Sequence, residues 1–292
     1  MPLTLYLLSF ILCFAGRKWY SRWYVVALFV LTGLYCWVLI GRTSIPILIQ
    51  LAVYAGLLFV ACMICHGEMV RLRPGPEHLT RFYLLVSLGG ALGGLFVNLV
   101  APLIFNNFWE FPLGLVACWV LLIVVLYRDR SSPLRRHFLP TASALALALT
   151  ALCMVVMMYI HTFEARTLEA SRNFYGVLWV IEEKIAGTDD SVYELGHGAI
   201  MHGAQYTSAA RRREPISYFG PQSGGGLALR HYPRGEDGLR VGVTGLGIGT
   251  LAAYAQPGDT FRFYEINPEV IRIAEGAGGY FSFLVDLSLI HI

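Results

Sequence analysis

Six apolar runs, separated by short connections, occupy residues 1–163, and no other feature limits the fold of this chain as strongly. They are Leu3 to Gly16, Tyr24 to Ile40, Ile45 to Cys65, Phe82 to Phe105, Pro112 to Tyr127 and Thr141 to Ile160. A helix crossing a bilayer core needs about 20 apolar residues, with 17 to 25 the usual range. The first run is too short and reads as an incomplete helix at a truncated start. From residue 164 onward the sequence has the texture of a globular domain. Of the 292 residues, 56% are hydrophobic and 14% charged, whereas soluble domains hold about a quarter charged residues. A membrane protein with a soluble appendage is expected, multi-pass in a bacterial-type cytoplasmic membrane with the lipid bilayer as its first partner.

Arg residues fall mainly in alternate connections. Arg17, Lys18 and Arg22 follow run one, Arg71, Arg73 and Arg81 follow run three, and Arg128, Arg130, Arg135 and Arg136 follow run five; the connections between carry only Arg42 or nothing basic. The positive-inside rule then puts the odd-numbered connections in the cytoplasm and the soluble half outside. A cytosolic nucleoside ligand requires the opposite, so the side of the soluble domain stays open. The formal charge of +3 is accounted for by topology, and nucleic acid is not expected as a partner. All six cysteines lie at or before position 153, so no disulfide staples the soluble half. Met1 leads straight into apolar residues, without the basic start of a signal peptide.

Within the fourth run, Gly89, Gly90, Gly93 and Gly94 form two overlapping small-xxx-small pairs, which suit close helix packing or a helix–helix oligomer. Asn98 is expected to bond a neighbouring helix. Charges are lacking inside the six cores, which argues against an ion or proton path. Cys62-Met63-Ile64-Cys65-His66 matches the pattern for covalent haem attachment, but it sits at the apolar end of a span with Gly67 and Glu68 directly after it. Two buried thiols and an interfacial His are expected there instead of haem.

Beyond Arg172 the pattern becomes β-like. Phe174 to Ile181 and Ala199 to Tyr206 read as strands, Gly187 to Asp190 as a turn, and Ser191 to Leu195 as the start of the return. Arg211, Arg212 and Arg213 read as a solvated loop, and Gly224 to Gly226 as a flexible approach to a helix or strand at Leu227 to Arg230. The most informative stretch begins at Leu239. Arg240 to Thr244 is a short apolar strand, Gly245-Leu246-Gly247-Ile248-Gly249 a glycine-rich turn, Thr250 to Ala255 the start of a helix, and Phe261 to Tyr264 a second strand ending at Glu265. Glycines let backbone approach a ligand, and an acid about 20 residues past the first glycine is placed to accept from ribose hydroxyls. Gly245 and Glu265 are 20 residues apart. The glycines are spaced Gly-x-Gly-x-Gly, where the dinucleotide fingerprint asks for Gly-x-Gly-x-x-Gly, which favours an S-adenosylmethionine-type ligand over NAD.

These residues resemble a known family, the membrane-embedded spermidine synthase-like proteins (fused major-facilitator/spermidine synthase proteins). The stretch Cys65 to Pro102 is similar to the family's membrane signature. Arg172 to Val180, His197 to Gln205 and Ser217 to Leu229 resemble its β-domain, and Val241 to Val270 its nucleoside-binding core. Soluble spermidine synthases transfer an aminopropyl group from decarboxylated S-adenosylmethionine to putrescine. The resemblance implies that Glu265 holds the ribose, that Gln205 contacts the nucleoside and that Tyr218 lies on the amine side. It departs from the pattern at His202-Gly203, where the enzymes have Asp-Gly, at Gln205, one residue nearer than theirs, and at Tyr218, several residues farther. The enzymes' adenine-reading and catalytic Asp residues follow their third and fourth strands. This sequence stops at Ile292, so it reads as a C-terminally truncated fragment, inactive alone, with catalytic residues unassigned.

The expected fold is therefore an α-helical transmembrane bundle of about six spans followed by a small β-unit and the start of a Rossmann-like α/β domain, over 1–163, 164–236 and 237–292. The expected ligands are decarboxylated S-adenosylmethionine or S-adenosylmethionine and a small-molecule amine. Gly245, Gly247, Gly249, Glu265 and Gln205 would hold the nucleoside and Tyr218 the amine. No metal is implied, because the leaving group is already a neutral thioether. The alternative is a non-enzymatic membrane transporter or sensor with a regulatory nucleoside-binding domain.

Overall fold

The computed structural model describes residues 2–41, 45–129, 132, 138–285 and 290–291. Arg42, Arg130, Arg135 and Arg136 lie outside them. The chain divides into two compact units, 1–101 with 109–163 and 102–108 with 164–292.

The first unit is helical: α1 (Pro2–Ala15), α2 (Trp23–Ile40), α3 (Ile47–Arg71), α4 (Leu79–Leu95), then a π turn at Phe96–Val100 and the short α5 (Ala101–Ile104), followed by α6 (Glu110–Arg128) and α7 (Phe138–Arg166), with α5 beyond Ala101 and α7 beyond Phe163 counted in the second unit. Among the described residues, five helices are long and apolar enough to cross a membrane: 23–40, 47–71, 76–104, 110–128 and 140–166. The 14-residue α1 is apolar but shorter. Helices dominate because a bilayer core offers no water to backbone groups, which must bond within their own segment. Leu28, Tyr35, Leu57, Ile64, Trp119 and Leu152 fill the interior, and the Trp119 indole N–H donates to the Thr32 hydroxyl at 3.1 Å. Large apolar side chains also cover the outside, Trp23, Leu48 and Leu103 each being more than three-quarters exposed. Water would penalise such a surface, whereas lipid does not.

Two expectations for this unit are corrected, and one feature was not anticipated. Asn98 donates to the Gly94 carbonyl one turn back in its own helix, at 2.8 Å, rather than to a neighbour. His66 is buried, its Nδ1 lying 3.0 Å from the Ser9 hydroxyl, while Cys65 is exposed on the outside of the bundle. Consecutive helical residues point about 100° apart, so the thiol and the imidazole cannot share one environment. The unanticipated feature is Glu68. It lies inside α3 and is buried, accepting from the Tyr20 hydroxyl at 2.8 Å and pairing with Arg22 at 3.3 Å and Arg71 at 3.5 Å. Both arginines also reach Asp129, at 2.6 and 3.2 Å. One charged network thus joins the chain after α1, the end of α3 and the end of α6.

The second unit opens with an antiparallel meander, β1 (Thr167–Asn173), β2 (Gly176–Lys184), β3 (Ser191–His197) and β4 (Ile200–Tyr206), in sequential order. Strand β1 was not expected from its polar sequence. Arg172 holds Pro102–Phe108 to this unit, donating to the Asn107 carbonyl at 2.8 Å and stacking on Phe108. Helix α8 (Gly224–His231) begins on the three glycines that read as a flexible approach, because the Ser223 hydroxyl caps it by accepting from Gly226 N–H at 3.0 Å. A parallel sheet follows, ordered β5 (Arg240–Thr244), β6 (Thr260–Tyr264) and β7 (Ile290–His291), with α9 (Pro268–Ala274) after β6. Leu178, Val180 and Leu195 of the meander share one core with Ile248, Phe261, Phe263 and Ile273. Arg272 of α9 also pairs with Glu169 of β1.

Candidate functional site

The glycine turn lies between β5 and the segment leading to β6. Gly245, Gly247 and Gly249 have φ of 87°, 57° and 78°, left-handed values that side chains resist. Their surroundings separate their roles. A Cβ on Gly247 would lie 2.8 Å from the His202 carbonyl, and one on Gly249 2.6 Å from Leu284, so both positions are required by packing. A Cβ on Gly245 would meet nothing within 4 Å among the described residues, which makes Gly245 the open side of the turn.

Glu265 holds this turn together. One carboxylate oxygen, Oε2, accepts from Leu246 N–H at 3.0 Å, while Oε1 accepts from Ile266 and Asn267 N–H, each at 2.9 Å. A carboxylate has about four lone-pair sites, so one remains, on Oε2. Asn267 caps α9 by accepting from Glu269 N–H at 3.1 Å, and its oxygen also accepts from the Asn173 amide at 2.6 Å. The end of β6, the glycine turn and the end of β1 are thereby linked.

After the turn, Thr250–Tyr254 is a 3₁₀ helix rather than the start of an α-helix. Pro257 disfavours helical backbone at Gln256, and five residues are too few to establish an α-helical ladder. The segment directly after the turn therefore presents no α-helix N-terminus to it.

Strand β4 packs against the turn through Gly203, where a Cβ would lie 2.7 Å from Ile248. Gln205, on the same strand, is buried and engaged with the protein itself. Its amide nitrogen donates to the Arg212 carbonyl at 2.6 Å and to the Ser282 hydroxyl at 2.9 Å, and its oxygen accepts from Ser282 N–H at 2.9 Å. Tyr218 is half exposed beside the start of β4, its hydroxyl donating to the Met201 carbonyl at 3.4 Å. His202 has its ring 5.3 Å from that of His197. Burial and the neighbouring imidazole hold its pKa below the usual histidine range, and the Glu265 carboxylate pulls the other way.

The structure thus groups Gly245, Gly247, Gly249 and Glu265 at one turn, brings β4 with His202 against it, and turns Gln205 inward. Leu246, whose amide anchors the carboxylate, has no sequence signature beyond its position between the glycines. Arg211 clamps the β-unit, pairing with Asp190 at 3.2 Å and Glu214 at 3.0 Å and stacking on Tyr206. Among the described residues, no group of three or more His, Cys, Asp or Glu side chains is arranged to hold a metal. Comparison of the chain with family models, with curated proteins and with solved structures finds no match.

Proposed function

We propose that this chain is a membrane-anchored, spermidine synthase-like protein whose soluble unit, the start of a Rossmann-like domain, binds an S-adenosylmethionine-type nucleoside at the glycine turn. The observation that carries the reading is the pairing of an open Gly245 with a Glu265 carboxylate that keeps one lone-pair site on Oε2. That site fits one ribose hydroxyl, and the two parallel strands of β5 and β6 put it at their carboxyl ends, where ligands of open α/β sheets lie. An aminopropyl transfer joins a neutral amine nitrogen to the carbon beside a sulfonium, releasing a neutral thioether. Such chemistry asks the protein to position two reactants and accept a proton.

The second reading, a non-enzymatic transporter or sensor regulated by the nucleoside, draws on Gln205. In the resemblance this residue contacts the ligand, and here its amide serves Arg212 and Ser282. Calorimetry on the purified chain in detergent tests the common core of both. Decarboxylated S-adenosylmethionine or S-adenosylmethionine is expected to bind and NAD is not. Binding of NAD alone would overturn the assignment.

A further inference from the structure

The apolar unit contains a second place where chemistry is concentrated, unrelated to the glycine turn. Cys65 of α3 and Cys118 of α6 bring their sulfurs to 3.7 Å. They lie six residues before Arg71 and ten before Arg128, about 9 and 15 Å from those helix ends at 1.5 Å per residue. Both residues line one cavity of about 470 Å³, whose wall also includes Phe82 and Leu85 of α4, Leu122 of α6 and Glu68. Cavities of this size accommodate small organic ligands.

We propose that Cys65 and Cys118 are a redox-active dithiol whose oxidant is a lipid-soluble quinone bound in this cavity. The sulfurs are in contact but not bonded, and a disulfide requires about 2.05 Å, a closure of less than 2 Å that side-chain rotation and a small helix adjustment supply. The balance is simple. Two S–H bonds break and one S–S bond forms. The two electrons and two protons pass to the quinone, whose carbonyl oxygens become the hydroxyls of a quinol. The setting selects the oxidant. Cys118 is buried and both thiols stand inside apolar spans, where charged, water-soluble disulfides such as oxidised glutathione do not enter. Cys65 is exposed on the outside of the bundle, so a molecule dissolved in the lipid reaches it directly. Phe82 supplies an aromatic wall for a ring-shaped ligand.

The test uses the whole chain in phosphatidylcholine nanodiscs, reduced, desalted and mixed without air with decyl-ubiquinone. After acid quenching and denaturation, thiols are counted by maleimide labelling and the bridge is mapped by mass spectrometry. The expected result is a fall from six labelled thiols to four, one quinol formed per chain, and a Cys65–Cys118 peptide. Cys65→Ser and Cys118→Ser should each keep all five remaining thiols, while Cys62→Ser should still lose two. The wild-type peptide map stands even where a variant folds poorly. Six thiols surviving decyl-ubiquinone would overturn the proposal. So would a bridge between Cys62 and Cys65, or a Cys65–Cys118 bridge made by diamide but not by the quinone.

Discussion

Replacing Glu265 by Gln isolates the charge of the group that holds the glycine turn. The amide keeps one oxygen and exchanges the other for NH₂. In its better orientation the oxygen still accepts from Ile266 and Asn267, and the NH₂ faces Leu246 N–H, donor against donor, where the carboxylate had accepted at 3.0 Å. One hydrogen bond to a charged group is lost, which is worth about 1.5 to 3 kcal/mol. For a unit between the 60–100 and 150–250 residue classes, 1 kcal/mol shifts melting by roughly 4 °C, so the second unit should melt about 6 to 12 °C lower. Temperature-dependent proteolysis, with hydrogen exchange followed on peptides covering the turn, reads this without mixing in the helical unit. Exchange should accelerate at Leu246 more than at Ile266 or Asn267. Nucleoside affinity should fall about tenfold to a hundredfold, because the same substitution removes the remaining acceptor on Oε2. A variant that melts within 1 °C of wild type and protects Leu246 equally would refute the idea that this carboxylate ties the turn to the end of β6.

Three further outcomes follow from the same structure. Gly245→Ala should cost about 1 to 2 kcal/mol through backbone strain alone, whereas Gly247→Ala, which also meets the His202 carbonyl, should cost more; equal losses in denaturant titration would contradict the distinction. Asp259 is buried, and although burial works to raise its pKa, the Leu239 and Gln256 amides and Arg234 outweigh it and hold the carboxyl below the usual range. A depressed carboxyl stabilises the fold above its unfolded pKa of about 3.9, and that contribution disappears as pH falls through the folded value. Proteolysis profiles of the second unit should therefore be flat to about pH 4 and decline below it, less steeply in Asp259→Asn. Glu68→Ala leaves Asp129 as the remaining carboxylate of Arg22 and Arg71 and removes the acceptor of the Tyr20 hydroxyl, so it should destabilise the bundle by about 1 to 3 kcal/mol in mixed-micelle unfolding, with Glu68→Gln affected less.

The parts legible in the sequence were those set by local, one-dimensional requirements. The length of an apolar run decides whether a helix can cross a bilayer, so the long runs became helices close to their expected bounds. Glycine spacing decides where backbone can turn, so Gly245, Gly247 and Gly249 all adopted left-handed conformations between two parallel strands. What escaped depended on partners far along the chain. Thr167–Asn173 is polar, yet it is a strand because β2 pairs with it from Val180 back to Gly176, with a register shift between Thr167 and Glu169. Three glycines oppose a helix by propensity, and α8 forms on them because Ser223 caps it and Tyr254 reaches across to the Phe219 carbonyl at 2.6 Å. Glu68 directly follows an apolar run, and the arginines that make its burial tolerable are supplied partly from 46 residues earlier, by Arg22.

The site divides along the same line between local and distant determinants. Spacing marked Glu265, because a strand has fixed rise and the acid must fall at its carboxyl end. Spacing was blind to the occupation of its lone pairs by Leu246, Ile266 and Asn267, which depends on how the turn closes over β6. Gln205 illustrates the limit from the other direction. Alternation along β4 assigns it a face, but only the position of Ser282, 77 residues later, decides that its amide is spent inside the protein. The turn therefore presents one remaining acceptor on Glu265 and open backbone at Gly245, while Gln205 on the neighbouring strand is committed to Arg212 and Ser282.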